Sequence, residues 1–405
     1  MALYINQDIV VINNEIEQNT FIFDRRNRIK SIINDDMFEV LEYIYNHIGI
    51  TKEELLEYYI GIDDVIEQLV ENNILKNKKQ KRCNNIKHIN NLDTARLFVE
   101  LTDKCNLRCK HCYGDFKLEN GNSLDINKLD NLINQAIELN VYQFDLTGGE
   151  PLLYANLETL LSKLYDAGML VTIFSNLVIQ SEKILKLFDK YCVKKIITSI
   201  DSCVNKAHDD FRGVDGALKR TVGNVRKLKK TSIELAVNTM VGNHNYDNIE
   251  DTISFLKELD IPCVLDAIIP NGRANKLDEN TFKSVQVIHD LYKREDLNVQ
   301  LKITDCGVGK RFLYIKSNGN VCLCPSLVTN KFVFGNINKA DFNLKSCFID
   351  MIEKYGDLRC KKECSKKDIC NGGCRARALI FQDGLYNKDL NSCILCGELC
   401  ADEIK

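Results

Sequence analysis

Between residues 95 and 270 the chain alternates short runs of buried-strand type with amphipathic stretches, and this alternation limits the possible folds more than any other feature. "ARLFVELT", "QFDLTGG", "LVTIFSN", "KKIITSID", "IELAVNTMV" and "PCVLDAIIP" read as buried strands. "NKLDNLINQAIELN" and "YDNIEDTISFLKEL" lie between them with apolar residues at helical spacing. Repeated strand–helix units imply a parallel sheet, open or closed into a barrel. Such folds bind ligands at the carboxyl ends of their strands. "TGGEP", "SN" and "SIDS" all fall at such ends.

At 405 residues the chain is long for one domain, and its cysteines divide it. None of the 18 precedes Cys83, and most of them fall between Cys306 and Cys400. A net charge of −3 gives no reason to expect a nucleic-acid or membrane partner. The opening "MALYINQDIVVINNEIEQ" has neither the basic nor the long apolar region of a signal peptide, and no stretch reaches a membrane span. A cytoplasmic location is therefore expected. Disulfides are disfavoured there, so clustered cysteines point to metal or redox chemistry.

Residues 1–80 read as a small α+β unit. "YINQDIVVIN", "NTFIFD" and "RIKSII" are strand-like, with "DRRNR" as a hairpin turn. "NDDMFEVLEYIYNHIG", "TKEELLEYY" and "IDDVIEQLVENNIL" are helical, and Thr51 with Glu54 makes a capping-box pattern. Three strands before three helices suggest a winged-helix-like domain. Its acidic helices count against DNA. "KNKKQKRCNNIKHINN", residues 76–91, is basic and without apolar period; it sets a linker at 81–94, ahead of a core at 95–300 and a tail at 301–405.

The stretch "CNLRCKHCY" places Cys105, Cys109 and Cys112 directly after the first strand of the alternating region. Structural zinc needs four ligands, and His111, adjoining Cys112, is an awkward fourth. A cubane [4Fe–4S] cluster held by three thiolates leaves one iron open to a cofactor or substrate. Cys-x3-Cys-x2-Cys in this position resembles the radical S-adenosylmethionine (SAM) superfamily. The resemblance implies a partial (β/α)6 barrel in which SAM chelates the open iron and is cleaved to a 5′-deoxyadenosyl radical. It also implies SAM contacts from Gly148, Gly149, Glu150 and Pro151, with Glu150 accepting from the SAM ammonium. Ser175 and Asn176, Ser199 and Asp201, and Asn238 would line the carboxylate and ribose, and Arg212 would pair with the carboxylate.

The tail reads Cys306-x12-Gly319-x4-Cys324, then Cys360-x3-Cys364-x5-Cys370-x3-Cys374, then Cys393. A zinc ribbon is the alternative; a disulfide knot conflicts with the expected compartment. The pattern resembles the SPASM extension of radical SAM enzymes, which holds two auxiliary [4Fe–4S] clusters, for three in all. By that resemblance Cys306, Cys324 and Cys374 hold the nearer cluster, and Cys360, Cys364, Cys370 and Cys393 the outer one. Either Cys322 completes the nearer site or one iron stays open. Cys396 and Cys400 are spare. Cys192, Cys203, Cys263 and Cys347 are isolated and read as small buried hydrophobes.

The front unit resembles the PqqD-like peptide-recognition domain of enzymes that modify ribosomally made precursors, which implies leader binding by strand addition. Together the resemblances imply a radical SAM oxidoreductase that matures a precursor peptide, most simply by a cysteine thioether of the sactipeptide or ranthipeptide type. They also imply an electron donor such as flavodoxin or ferredoxin. The alternatives are carbon–carbon or carbon–oxygen crosslinking, epimerisation, or sulfatase-maturase-like oxidation. From a different class, the chain would be a zinc-stabilised winged-helix regulator. No general base is assigned.

Overall fold

The computed structural model describes every residue except 16–17, 82, 90–95, 115, 119–120, 180, 298–306, 311, 371, 401–403 and 405. The chain opens with β1 (Tyr4–Ile5), β2 (Ile9–Asn14), β3 (Asn19–Asp24) and β4 (Ile29–Ile33). It continues through α1 (Asp35–Asn46), α2 (Lys52–Tyr58) and α3 (Asp63–Glu71) to β5 (Leu75–Lys76) and β6 (Ile86–Ile89). Polar caps start two of these helices. The Asn34 side chain accepts from the Met37 N–H, and Thr51 and Glu54 form the reciprocal capping box.

Two expectations for this region change. The first run is split, with Tyr4–Ile5 pairing to Leu75–Lys76 while Ile9–Asn14 pairs with β3. The segment expected to be linker contributes β6, parallel to β2. Burial explains this: Ile86 and Ile89 enter apolar clusters on opposite faces of the sheet. The intervening Lys87 is fully buried, and its ammonium donates to the Ala167 carbonyl at 3.2 Å. A lysine between two isoleucines hid the strand.

The order of this sheet is β4-β3-β2-β6. Ile9, Val11 and Ile22 pack with the domain's own helices, whereas Val10, Ile12, Phe21 and Phe23 pack with Leu170 of the core. Burial on both faces accounts for the unbroken apolar runs. The hairpin "DRRNR" is a second anchor. Arg25 donates to the Tyr165 carbonyl at 2.7 Å, Arg26 to that of Asp189 at 3.1 Å, and Arg28 to that of Val193 at 3.1 Å. Strand β4 is left at the outer edge, with Ile29 58% and Ile32 77% exposed.

The core comprises β7 (Arg96–Glu100), α4 (Ile126–Glu138), β8 (Gln143–Thr147), α5 (Leu157–Asp166), β9 (Leu170–Phe174) and α6 (Glu182–Lys190). Then follow β10 (Lys195–Ser199), α7 (Asn205–Arg212), α8 (Ala217–Leu228), β11 (Glu234–Val241), α9 (Ile249–Glu258), β12 (Cys263–Ala267) and α10 (Thr281–Tyr292). All six expected strands form and pair in parallel in chain order. The α/β fold is a partial (β/α)6 barrel; the sheet stays open, with β12 at one end.

The tail extends this sheet. It contains β13 (Phe312–Ile315), β14 (Asn320–Cys322), β15 (Val333–Asn336), α11 (Leu344–Tyr355), α12 (Lys367–Cys370), α13 (Arg375–Gln382) and α14 (Leu390–Leu395). Strand β13 pairs parallel to β7, and β14 and β15 follow antiparallel. The expected Asn318–Gly319 hairpin is present, with Gly319 at φ +89°. All four residues of β13 are buried, as an inner parallel strand requires. No helix among the described residues is long and apolar enough to cross a membrane.

Candidate active site

At the carboxyl ends of the barrel strands lies a cavity of about 190 Å³. Its wall includes Cys105, Cys109 and Cys112 together with Gly148, Gly149, Ser175, Asn176, Ser199, Arg212 and Asn238. The strand-end residues expected to meet are thus brought together. Glu150, Pro151 and Asp201 do not line this cavity and stand behind it.

Backbone bonds from three sides fix the cysteine loop. The Gly149 N–H donates to the Thr102 carbonyl and the Glu150 N–H to that of Lys104, both at 2.8 Å. Gly148 adopts φ +153°, and a Cβ there would lie 2.4 Å from the Thr102 oxygen; one on Gly149 would lie 2.2 Å from that of Lys104. The glycine pair therefore serves the close approach of two chain segments. On the second side, the Arg108 and Lys110 N–H groups donate to the Arg212 and Phe211 carbonyls at 3.0 and 2.9 Å. On the third, the Arg273 N–H donates to the Cys112 carbonyl at 2.9 Å, and its guanidinium to the carbonyls of Cys109 at 3.0 Å and Phe116 at 3.3 Å.

Glu150 is fully buried, and its carboxylate accepts from the Leu152 N–H (3.0 Å), the Ser175 hydroxyl (2.8 Å) and the Asn176 N–H (2.9 Å). Burial raises its pKa to about 7 against these donors. In the structure its carboxylate orients Ser175 and Asn176. Asn176 also donates to Asn106, between the first two cysteines, at 2.8 Å. Ser199 and Asn238 are register partners on β10 and β11 and face the cavity side by side.

Asp201 is also fully buried, and Arg212 grips it at 2.5 and 2.9 Å. Burial opposes the charge, but the guanidinium outweighs it and holds the Asp201 carboxyl well below the usual range. The fork of Arg212 is thereby committed to Asp201, and its remaining nitrogen points at the Cys109 sulfur, 3.8 Å away. Arg212 also lines the cavity.

Sequence reasoning missed Arg273 and gave His111 too little weight. The Asn271–Gly272 turn after the sixth strand was the available signal for Arg273. His111 lines the cavity and stacks on Phe211 at 4.5 Å, which stacks on His244 at 3.5 Å. Burial lowers the His111 pKa to about 3, so the ring is neutral.

The donor set suits an iron–sulfur cluster with an open position: three thiols on one wall, a cation at one of them, and hydroxyls and amides opposite. Burial pushes the Cys105 thiol up to about 12, so a bound cation would be needed to keep it ionised.

In the tail, Cys306 lies outside the described residues. Cys393 is buried, within electrostatic reach of Cys370 and Cys360, while Cys396 is within reach of Cys370 and Cys364. Cys396, spare by the expected pattern, thus stands near thiols assigned to the outer site. Cys374 donates its N–H to Asp389 at 2.7 Å. Cys322 is buried in the apolar core, its thiol 3.9 Å from the Asn320 carbonyl. Cys400 is exposed.

Residues 99–256 match the Radical SAM superfamily, and residues 306–375 match the SPASM iron–sulfur cluster-binding domain. The chain is 26% identical to an AdoMet-dependent heme synthase of Methanosarcina barkeri, over 69% of this chain and 90% of that one. It is 24% identical to the subtilosin biosynthesis protein AlbA of Bacillus subtilis, over 69% of this chain and 67% of that one. The structure of Streptococcus suis SuiB bound to its precursor peptide SuiA superposes with a TM-score of 0.67 at 15% identity, covering 96% and 99% of the two chains. The barrel is therefore similar to the Radical SAM superfamily, and the tail to the SPASM iron–sulfur cluster-binding domain.

Proposed function

We propose that this chain matures a ribosomally made precursor peptide by radical SAM chemistry, and that it joins a cysteine sulfur to a carbon of the peptide. The observation that carries this reading is the meeting of two cavities. A second one, of about 370 Å³, shares Tyr113 and Phe116 with the cysteine-lined cavity. Glu100 and Asp103 of the barrel line it on one side, and Lys316, Pro325 and Ser326 of the tail on the other. Pro325 directly follows Cys324. A peptide side chain seated there would face the SAM pocket across Tyr113 and the auxiliary-cluster region across Pro325. Walls carrying both signs of charge suit a peptide backbone.

In this reading Cys105, Cys109 and Cys112 hold the SAM-binding cluster. Ser175 and Asn176, braced by Glu150, orient SAM with Ser199 and Asn238. SAM on the cluster would supply a 5′-deoxyadenosyl radical. The net change would replace one C–H and one S–H bond by a C–S bond: the 5′-deoxyadenosyl radical would take the carbon's hydrogen atom, the thiol would lose its proton, and the remaining electron would pass to an auxiliary cluster. Two auxiliary clusters, three in all, would sit on the tail cysteines, with the nearer site left open at one iron. A flavodoxin- or ferredoxin-like donor would supply the electrons, in the cytoplasm.

Residues 1–80 would take the leader as a fifth strand on β4, whose outer edge and two isoleucines are exposed. The relatives named for subtilosin biosynthesis and for a precursor-peptide complex support the peptide; the heme synthase supports only the radical chemistry.

The test is anaerobic incubation with a short cysteine-bearing peptide encoded beside this gene, followed by mass spectrometry and thiol alkylation. Loss of two hydrogens together with one alkylatable thiol is expected. A modified peptide that keeps all its thiols would move the reading to a carbon–carbon or carbon–oxygen crosslink or an epimerisation. An Ile32→Lys enzyme should bind full-length precursor about tenfold more weakly, a change of about 1.4 kcal/mol, while cleaving SAM normally. Unchanged binding would remove the leader role from β4.

A further inference from the structure

We propose that Arg212, fixed by Asp201, sets the reduction potential of the SAM-binding cluster through the Cys109 sulfur. The inference rests on the reading that Cys105, Cys109 and Cys112 hold that cluster.

Two arginines grip Cys109. Arg273 takes its carbonyl at 3.0 Å, and Arg212 aims a guanidinium nitrogen at its sulfur from 3.8 Å. Both Arg212 and Asp201 are buried, so solvent does not screen them. The aim of Arg212 is fixed from behind. Two of its nitrogens are committed to Asp201, and the Asp201 carboxylate accepts in addition from the Met240 N–H at 3.1 Å. The backbone of Asp201 is held too: its N–H lies 3.1 Å from the His208 ring, and its carbonyl accepts from Asn245 at 2.6 Å. A guanidinium held by so many contacts keeps its remaining N–H on the sulfur instead of swinging toward a ligand.

Hydrogen bonds to cluster sulfurs and nearby charge are the protein's means of tuning such a centre. One-electron reduction adds one negative charge to the cluster, so a cation at a ligand sulfur favours the reduced form. Asp201 opposes it from one layer further out. The pair therefore predicts shifts of opposite sign. Loss of the Arg212 donor moves the potential down, and loss of the Asp201 charge moves it up.

The experiment is anaerobic dithionite titration of the full-length cluster-loaded enzyme, followed by absorbance and electron paramagnetic resonance. It uses the wild type, Arg212→Lys and Asp201→Asn, with iron content and SAM affinity measured in parallel. Arg212→Lys keeps a charge for Asp201 but cannot hold the carboxylate in a fork and reach the sulfur as well. At equal iron content, a more negative midpoint for Arg212→Lys and a more positive one for Asp201→Asn are expected. Unchanged midpoints with weakened SAM binding would overturn the proposal and return Arg212 to the SAM carboxylate. Shifts of the same sign would also overturn it, as the mark of general loosening. If Arg212→Lys does not fold, Asp201→Asn decides alone, and a midpoint that fails to rise sinks the idea. A wild type that binds no iron would instead sink the cluster reading on which all of this depends.

Discussion

The two cysteine-rich regions are held in place by different means. Around Cys105, Cys109 and Cys112 the fixing bonds are mostly backbone to backbone, from the Gly148–Gly149 turn, the end of α7 and the Gly272–Arg273 turn. Around Cys360 to Cys396 the fixing groups are charged side chains. Arg375 is buried and donates to the carbonyls of Leu385 (2.8 Å), Asn387 (2.9 Å) and Gly372. Asp389 is buried and takes the Cys374 N–H, the Arg377 guanidinium and the Ser392 hydroxyl. A loop fixed by backbone bonds to three barrel segments is expected to keep its shape without a bound group. The segment from Cys360 to Cys374, with a four-residue helix among its described residues, is expected to depend on its charged hubs.

The largest effect that would sharpen this contrast is chemical. Replacing Cys105, Cys109 and Cys112 together by Ala should abolish SAM cleavage and remove about four irons per chain. The circular dichroism should not change. A collapsed spectrum would show that the loop needs its cluster as much as the tail does.

Next comes Asp389→Ala, which takes the nearer carboxylate from the partly buried Arg377 and the acceptor from the Cys374 N–H. The cost should be about 3 kcal/mol, the low end for breaking a buried pair, read as early proteolysis confined to residues beyond 355. Cleavage spread over the barrel would contradict the independence of the two regions. Burial opposes the Asp389 charge, yet Arg377 holds its carboxyl below the usual carboxylate range. A lowered folded-state pKa contributes stability that is complete above the unfolded value of about 3.9 and is lost as pH falls through the folded value. Hydrogen exchange during acid titration should therefore open the tail first.

Gly149→Ala is smaller. Its methyl meets the Lys104 carbonyl and must push the cysteine loop away, at about 1–3 kcal/mol. SAM affinity should fall while the iron of the tail clusters stays. Intact SAM binding would mean that the loop yields more readily than its backbone bonds imply.

The smallest effect is Cys322→Ala. Burial pushes this thiol up to about 12, and it sits among apolar side chains. The variant should keep all its iron and its crosslinking activity. Loss of about four irons would show that Cys322 closes the nearer cluster, and an open iron would then play no part.

Much of the architecture was legible in the chain. Each barrel strand is a short, mostly apolar run, and each has a helix of its own period beside it, so local preference and final fold agree. The cysteine spacings were legible for the same reason, since ligands a few residues apart need no distant partner to declare themselves. Strand β6 was not legible. Its reason for forming is a pair of apolar surfaces supplied by β2, by the domain's helices and by Leu170, none of them adjacent in sequence. The placement of β13 against β7 was hidden likewise, because a free strand edge more than two hundred residues away creates the demand for it.

At the site the division is similar. The sequence by itself determined which residues stand at the strand ends and which cysteines form a loop, because period and spacing are properties of neighbours. Only the tertiary structure decided which side chain faces which. It turned Glu150 inward to brace Ser175 and Asn176, spent the fork of Arg212 on Asp201, and brought Arg273 from beyond the sixth strand onto the cysteine loop. A buried charge takes the best partner within reach, and what is within reach is set by packing between segments far apart in the chain.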